Sequence, residues 1–325
     1  MTAVVGILNK QAVAIAADSA VTIGGINGKK IFNQANKVFA LSKHHPIGVM
    51  IYNSASFMTT PWETIIKIYR KQLDNKSFST LKEYQENFIS YLRSKDFFSN
   101  KDDQKKHFFA FAFTLINSVI SEVLKENPVL LETLSEENKQ KVLINISTKV
   151  ESYIIQFNSP DNLCSDFNDY TFEEYIDFAG DELEKIIQAT FNNNGYILSD
   201  DLRMKLQQLS FLYLRTKEKF TNFTGLIFTG FGEEEIYPSL IPVNISLAIT
   251  HRLRFFIEEN SIAKISNSNN GAIAPFAQTD VISTILTGVD PTLDSTYLNN
   301  FEAAFTKYNN EILTRIGILM MNLRR

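Results

Sequence analysis

At 325 residues, with 44% hydrophobic side chains and a formal net charge of −4, the chain is long enough to bury a large core and ordinary in composition for a globular protein. Its charge is spread thinly, with no basic block to suggest nucleic acid and no polybasic segment to suggest a membrane surface. Cys164 is the only cysteine, so an internal disulfide is excluded; the first residues lack the basic and apolar regions of a signal peptide, and a reducing cytoplasm is the expected setting.

Residues 2–57 read as strands. Ala3 to Leu8, Ala12 to Ala17, Lys37 to Leu41 and Ile47 to Tyr52 are short apolar runs rich in Val and Ile, separated by turn signals at Asn9-Lys10-Gln11, Gly24 to Gly28 and Lys43-His44-His45-Pro46. Residues 61–221 read as helices. Pro61 suits a first turn, with Thr59 or Thr60 as the cap before it, and Ile65, Ile66, Ile68, Tyr69 and Leu73 give a helical stripe. Further helices are expected at 79–95, 104–126, 137–157, 171–190 and 200–220, divided by short Asn/Asp/Ser/Pro clusters. The longest apolar stretch, Phe108 to Leu124, contains Thr114, Asn117, Ser118, Ser121 and Glu122; it is too short to span a bilayer and reads as a buried helix.

Strand character returns at 223–274. Leu226 to Gly232 is expected to turn through Glu233-Glu234-Glu235 into a return strand, Ile236 to Leu240, and 252–258 with 261–266 to form another hairpin. Two helices, near 276–288 and 293–322, finish the chain. Segregated runs of strands and helices argue for antiparallel sheets covered by helices, an α+β fold.

Thr2 directly follows the initiator Met and heads the first strand. Residue 2 is small enough for Met1 removal, which makes a threonine a nucleophile and base in one: its hydroxyl attacks and its own α-amine takes the proton. An α-amine titrates near 7.7–8.0, more than about two units below a lysine, so a useful fraction is free at neutral pH. The bland alternative is that small residues are common after Met and most do nothing.

Thr2 with the strand Ala3 to Leu8 is followed by Ile15-Ala16-Ala17-Asp18-Ser19, Val21-Thr22 and Lys37-Val38-Phe39-Ala40-Leu41. Ile47 to Ile51 then leads to the small-residue turn Asn53-Ser54-Ala55-Ser56, and later comes the segment Gly225 to Leu240. In this order the segments resemble the N-terminal nucleophile hydrolases, more narrowly proteasome β subunits and the bacterial proteasome-related peptidase subunit that works with an unfolding ATPase. The resemblance covers roughly a third of the chain. It implies a four-layer αββα sandwich formed by 1–75 and 222–325, interrupted by a helical insertion at 76–221. It also implies hydrolysis of a peptide or other amide substrate without metal or organic cofactor, a homo-oligomeric ring and an ATPase partner. Thr2 corresponds to the nucleophile, Asp18 to the acid below it, and Lys37 to the basic residue beside the threonine hydroxyl. An ammonium there favours the alkoxide and lowers the pKa of the neighbouring α-amine, while the carboxylate keeps it charged and aimed. Lys29 and Lys30 compete for this role, because Lys29-Lys30-Ile31-Phe32 mimics the same local pattern. Asn53 stands where the family has a glycine whose N–H helps bind the oxyanion. The family's supporting serine and second aspartate have no clear counterpart, although Ser266, Ser268 and a turn at Gly271 to Pro275 lie in the region.

Other candidates read as structural. No pair among His44, His45, His107 and His251 has metal-ligand spacing, and His44-His45-Pro46 reads as a polar turn. Gly230-Phe231-Gly232 lacks the rest of a dinucleotide fingerprint, Glu233 to Glu235 reads as a solvated turn, and Phe108, Phe109, Phe111 and Phe113 read as helix core. Asp18 alone could be a strand-end cap and Lys37 a surface lysine. Three readings stay open: a threonine peptidase, a small-amide acylase of the same superfamily, and a non-catalytic ring or binding module.

Overall fold

The computed structural model describes residues 3–19, 21–25, 28–32, 36–94, 100–128, 135–220 and 222–322, with side chains described for all but 21–32 and 314–322. In chain order the strands are β1 (Ala3–Asn9), β2 (Val13–Ala17), β3 (Val21–Gly25), β4 (Gly28–Phe32), β5 (Val38–Ala40), β6 (Ile47–Asn53), β7 (Ser56–Phe57), β8 (Thr60–Pro61), β9 (Thr224–Gly230), β10 (Ser239–Ile249), β11 (Arg252–Ile257), β12 (Ala263–Lys264) and β13 (Gly271–Ala277). The helices are α1 (Trp62–Leu73), α2 (Leu81–Ser94), α3 (Lys101–Glu126), α4 (Glu136–Phe157), α5 (Phe172–Thr190), α6 (Asp200–Arg215), α7 (Thr279–Thr287) and α8 (Pro291–Asn322). The fold mixes helix (54%) with strand (22%) in antiparallel sheets, which makes it α+β.

Two sheets face each other. In the smaller, β1 lies between β2 and β13; in the larger, the order is β11-β10-β9-β6-β5, with β12 also on β10. Period-2 alternation in β1 turns Val4 and Leu8 inward and leaves Ile7 exposed. The inward residues meet Met50, Tyr52, Ile227, Leu240 and Phe276 in the core between the sheets. Burying side chains of this size contributes about 1.5–3 kcal/mol each. The other face of the larger sheet packs on α1 and α2 through Trp62, Ile65, Ile66, Tyr69, Tyr84 and Phe88. Gly225 in β9 is required by close packing: a Cβ there would lie 1.9 Å from the Tyr52 ring.

Helices α3 to α6 build a separate core through residues such as Phe108, Ile116, Ile146, Leu183 and Leu209, which reaches the sheet at Leu247, Ile249 and Phe256. Local sequence defines their starts. Asn100, Ser135 and Ser199 accept backbone N–H bonds as N-caps of α3, α4 and α6, and Thr171 with Glu174 forms a capping box on α5. Among the described residues, α3 alone is long and apolar enough to cross a membrane; its side chains Phe108, Ala112, Ile116, Val119 and Val123 are buried in the helical core.

One buried cation ties this unit to the sheet. Arg254 of β11 donates Nε to the Leu214 carbonyl (2.9 Å), Nη1 to Ser246 Oγ (3.1 Å), and Nη2 to the carbonyls of Thr216 and of Glu218 (2.7 Å). Its guanidinium lies over the Phe220 ring, 3.4 Å from the centroid. Burial lowers its pKa to about 10, which leaves it charged at neutral pH.

Three expectations for the later strands differ from the structure. The return strand is β10, which starts at Ser239 and runs to Ile249, and 252–258 and 261–266 do not pair with each other. β11 and β12 instead lie in succession along one edge of β10, joined where Glu258 N donates to the Pro242 carbonyl and the chain loops out through Glu259–Ser261. Gly271 to Pro275 is strand, not turn. Pro275 is tolerated because β13 is an edge strand, where a missing N–H breaks no ladder.

Candidate active site

The end of β1 nearest Thr2 is where the expected groups gather. Thr2 itself lies outside the described residues; Ala3, the next residue, is clasped by Asp18. The Ala3 N–H donates to Asp18 Oδ1 at 3.0 Å, and the Asp18 N–H donates to the Ala3 carbonyl at 3.0 Å. The β1–β2 register, with Val4 opposite Ala17, brings these two residues together.

Lys37 comes from the other sheet. It directly precedes β5, and its carbonyl accepts from Ile51 N at 2.9 Å, so it lies alongside the last part of β6. Its ammonium meets Asp18 Oδ1 at 2.9 Å. Lys37 is 7% exposed and Asp18 34%. Because β2 and β5 are edge strands of their sheets, this ion pair bridges the two sheets at corresponding edges. Lys29 and Lys30 lie in the β3–β4 hairpin, and their side chains are outside the described residues. Among the described side chains, Lys37 is the lysine that meets Asp18.

Asn53 ends β6 at this same end of the larger sheet, opposite Thr224. Its φ of 69° lies in the left-handed region, which glycine enters freely and asparagine more readily than most residues. Its side chain is anchored, with Nδ2 donating to the Phe223 carbonyl at 2.9 Å. The preceding Tyr52 ring packs edge-on to Phe223 and stacks with Phe276 at 6.1 Å, locking the end of β6 to the end of β13. Burial, with Glu258 beside it, pushes the Tyr52 hydroxyl well above the ordinary tyrosine range, and it donates to Glu258 Oε1.

Ser266 and Ser268 are placed elsewhere. They bond to each other at 3.0 Å in a turn capped by the Ser268 and Asn269 N–H groups, before the start of β13. That end of β13 pairs with Asn9, the far end of β1, so neither serine shares the Ala3 end. The residues that do are Gln278 and Thr279. Ala277 is opposite Ala3 and has a φ of 64°, and the chain turns there into α7. Gln278-Thr279-Asp280 before the apolar run Val281-Ile282 is a helix-start pattern, but it points to this site only once β13 is known to be a strand.

The remaining candidates have structural roles. Ser42 Oγ accepts from the N–H groups of His44 and His45, making the polar turn expected there. Glu235 is more than a solvated residue: its carboxylate accepts from Gly232 N and from Leu81 N at the start of α2. Phe108 and Phe111 are buried in the helical core, whereas Phe109 and Phe113 stack on one another with Phe113 exposed. Among the described residues no group of three or more His, Cys, Asp or Glu side chains is placed to hold a metal ion. A cavity of about 250 Å³ between α3, α4 and Glu218, Phe220 and Asn222 does not include Asp18 or Lys37.

No family model, curated protein or solved structure matches the chain in sequence or structure comparisons.

Proposed function

We propose that the chain is a threonine-dependent amide hydrolase of the N-terminal nucleophile class, built as an αββα sandwich, with peptides as its substrates. The observation that carries this reading is the double use of one carboxylate oxygen. Asp18 Oδ1 holds the Lys37 ammonium and also the N–H of Ala3, the residue bonded to Thr2. The carboxylate that fixes this largely buried cation therefore also fixes the residue that follows position 2.

In this reading Met1 is removed and the Thr2 hydroxyl attacks the amide carbonyl. The hydroxyl proton passes to the α-amine and then to the leaving amine, leaving an acyl ester on Thr2. Water, activated by the same amine, hydrolyses the ester and restores the hydroxyl. Lys37 lowers the energy of the alkoxide, and Asp18 positions Lys37. The backbone N–H at Asn53 serves the oxyanion, a role its left-handed φ supports, because it matches the conformation a glycine would bring.

The test is turnover of a panel of peptide and acyl-amide substrates. Thr2→Ala, with fold and Met removal intact, is expected to fall to background, and Thr2→Ser to retain part of the activity. Lys37→Ala should lose several orders of magnitude and Lys30→Ala little. Wild-type turnover unaffected by Thr2→Ala would refute the mechanism.

A further inference from the structure

Every described residue of α8 from Thr292 to Leu313 is exposed. A helix of 32 residues, about 48 Å long, does not hold itself together in water by propensity alone; helices are stabilised mainly by packing an apolar face. α8 has such a face. Leu298, Phe301, Phe305, Tyr308 and Ile312 follow one another at spacings of three and four, the repeat that lets one helix seat its side chains between those of another. Tyr297 extends the stripe, and the Phe301 and Phe305 rings stack at 5.9 Å. The opposite side carries Asn299, Ala303, Lys307 and Asn310.

The exposures decide what this face needs. Tyr297 is 71% exposed, Phe301 68% and Tyr308 62%. Together the six stripe residues leave on the order of 700 Å² of side chain bare, above the largest patch of about 300–600 Å² on a typical monomer. Ile285 and Leu286 on the adjoining α7, 77% and 53% exposed, add to it. The total reaches the roughly 800 Å² that each partner gives to a stable interface.

We infer that α8, with the exposed face of α7, is a homodimer interface, and that the partner is a second copy of this chain. A three–four seam is self-complementary: two copies related by a two-fold axis present the same stripe to each other, and closed two-fold pairs are the commonest soluble assemblies. The bare area of one copy matches the area that the other must cover. The inference does not rest on the hydrolase reading, since its stripe is argued from α8 and from Ile285 and Leu286 of α7, apart from Asp18, Lys37 and Asn53.

The experiment is the mass of the full chain in solution by light scattering at about 10–100 µM, a range in which interfaces of this size associate. The wild type is expected at twice the chain mass or an even multiple of it. The double variant Phe301→Glu/Phe305→Glu is expected to halve that mass while its thermal unfolding midpoint for the sheet core stays unchanged. Tyr308→Lys, a milder change, should shift the dissociation constant upward at least tenfold. A monomeric wild type overturns the inference and assigns the face to some other partner. So does a double variant, or Tyr308→Lys, that keeps the wild-type mass at every concentration.

Discussion

Asp18 and Lys37 sit on different sheets, so their ion pair reports how accurately the sheets are registered, and its loss should be felt in both stability and turnover. Asp18→Asn keeps the shape but removes the carboxylate that balances a largely buried ammonium. A destabilisation of about 1–3 kcal/mol is expected in urea titrations, with a far larger proportional loss in kcat/KM. Activity lost without any stability change would mean the pair contributes nothing to holding the sheets. The pH profile tests the same residues. With a neutral α-amine as base, as proposed, kcat/KM should be low in acid and rise with an apparent pKa below about 8. The Lys37 ammonium disfavours a second positive charge beside it; in Lys37→Met the residual activity should therefore rise at higher pH than in the wild type. A profile that is flat from pH 6 to about 9 in the wild type would be incompatible with an amine base.

At the scale of elements, one contact holds a wall of the candidate site and another ties the helical unit to the far edge of the larger sheet. Gly225→Ala would drive a methyl into the Tyr52 ring, which has no room to retreat between Phe223 and Phe276. A cost of about 1–3 kcal/mol is expected by chemical denaturation, together with reduced activity, because the Tyr52–Phe276 contact aligns β6 with β13. Arg254→Ala removes the charged donor shared by three carbonyls and the Ser246 hydroxyl, and on the order of 3 kcal/mol or more should be lost. Arg254→Lys should recover little, since an ammonium cannot span the same fork of acceptors. Most elements were legible in the sequence because local chemistry defines them: the apolar runs of β1, β2 and β6, and the Thr171–Glu174 and Ser199 starts of α5 and α6. β13 was not, because Gly271 and Pro275 signal a turn locally and only an edge position makes them compatible with a strand. As a strand, β13 carries the chain from Ser266 and Ser268 at the far end of β1 to Gln278 and Thr279 at the Ala3 end. The joining of β11 and β12 along one strand was equally hidden, since nothing local in 252–266 reveals that both segments share β10 as their partner. Asp18 and Lys37 could be paired from the resemblance to a family, but not from their spacing, which is set by the β3–β4 hairpin between them.

At the scale of the whole molecule, the sheets, α1, α2 and α7 bring one end of β1 into a defined setting, while α3–α6 form a core of their own beside it. The cavity bounded by α3 and α4 adjoins Asn222, next to Phe223, whose carbonyl holds Asn53. Changes in the helical unit are therefore expected to reach the site through that carbonyl. Phe220→Ala, which also removes the ring under Arg254, should alter KM or substrate preference in the peptide panel; unchanged kinetics with the fold intact would separate the two regions. The central claim is that Thr2 becomes an N-terminal nucleophile, and it is tested most directly by mass spectrometry of the protein from its native source after exposure to an electrophilic peptide. The account predicts an N-terminal peptide that begins at Thr2 and carries the adduct, with labelling reduced in Lys37→Ala. A native chain that retains Met1, or an adduct on any other residue with Thr2 unmodified, would contradict it.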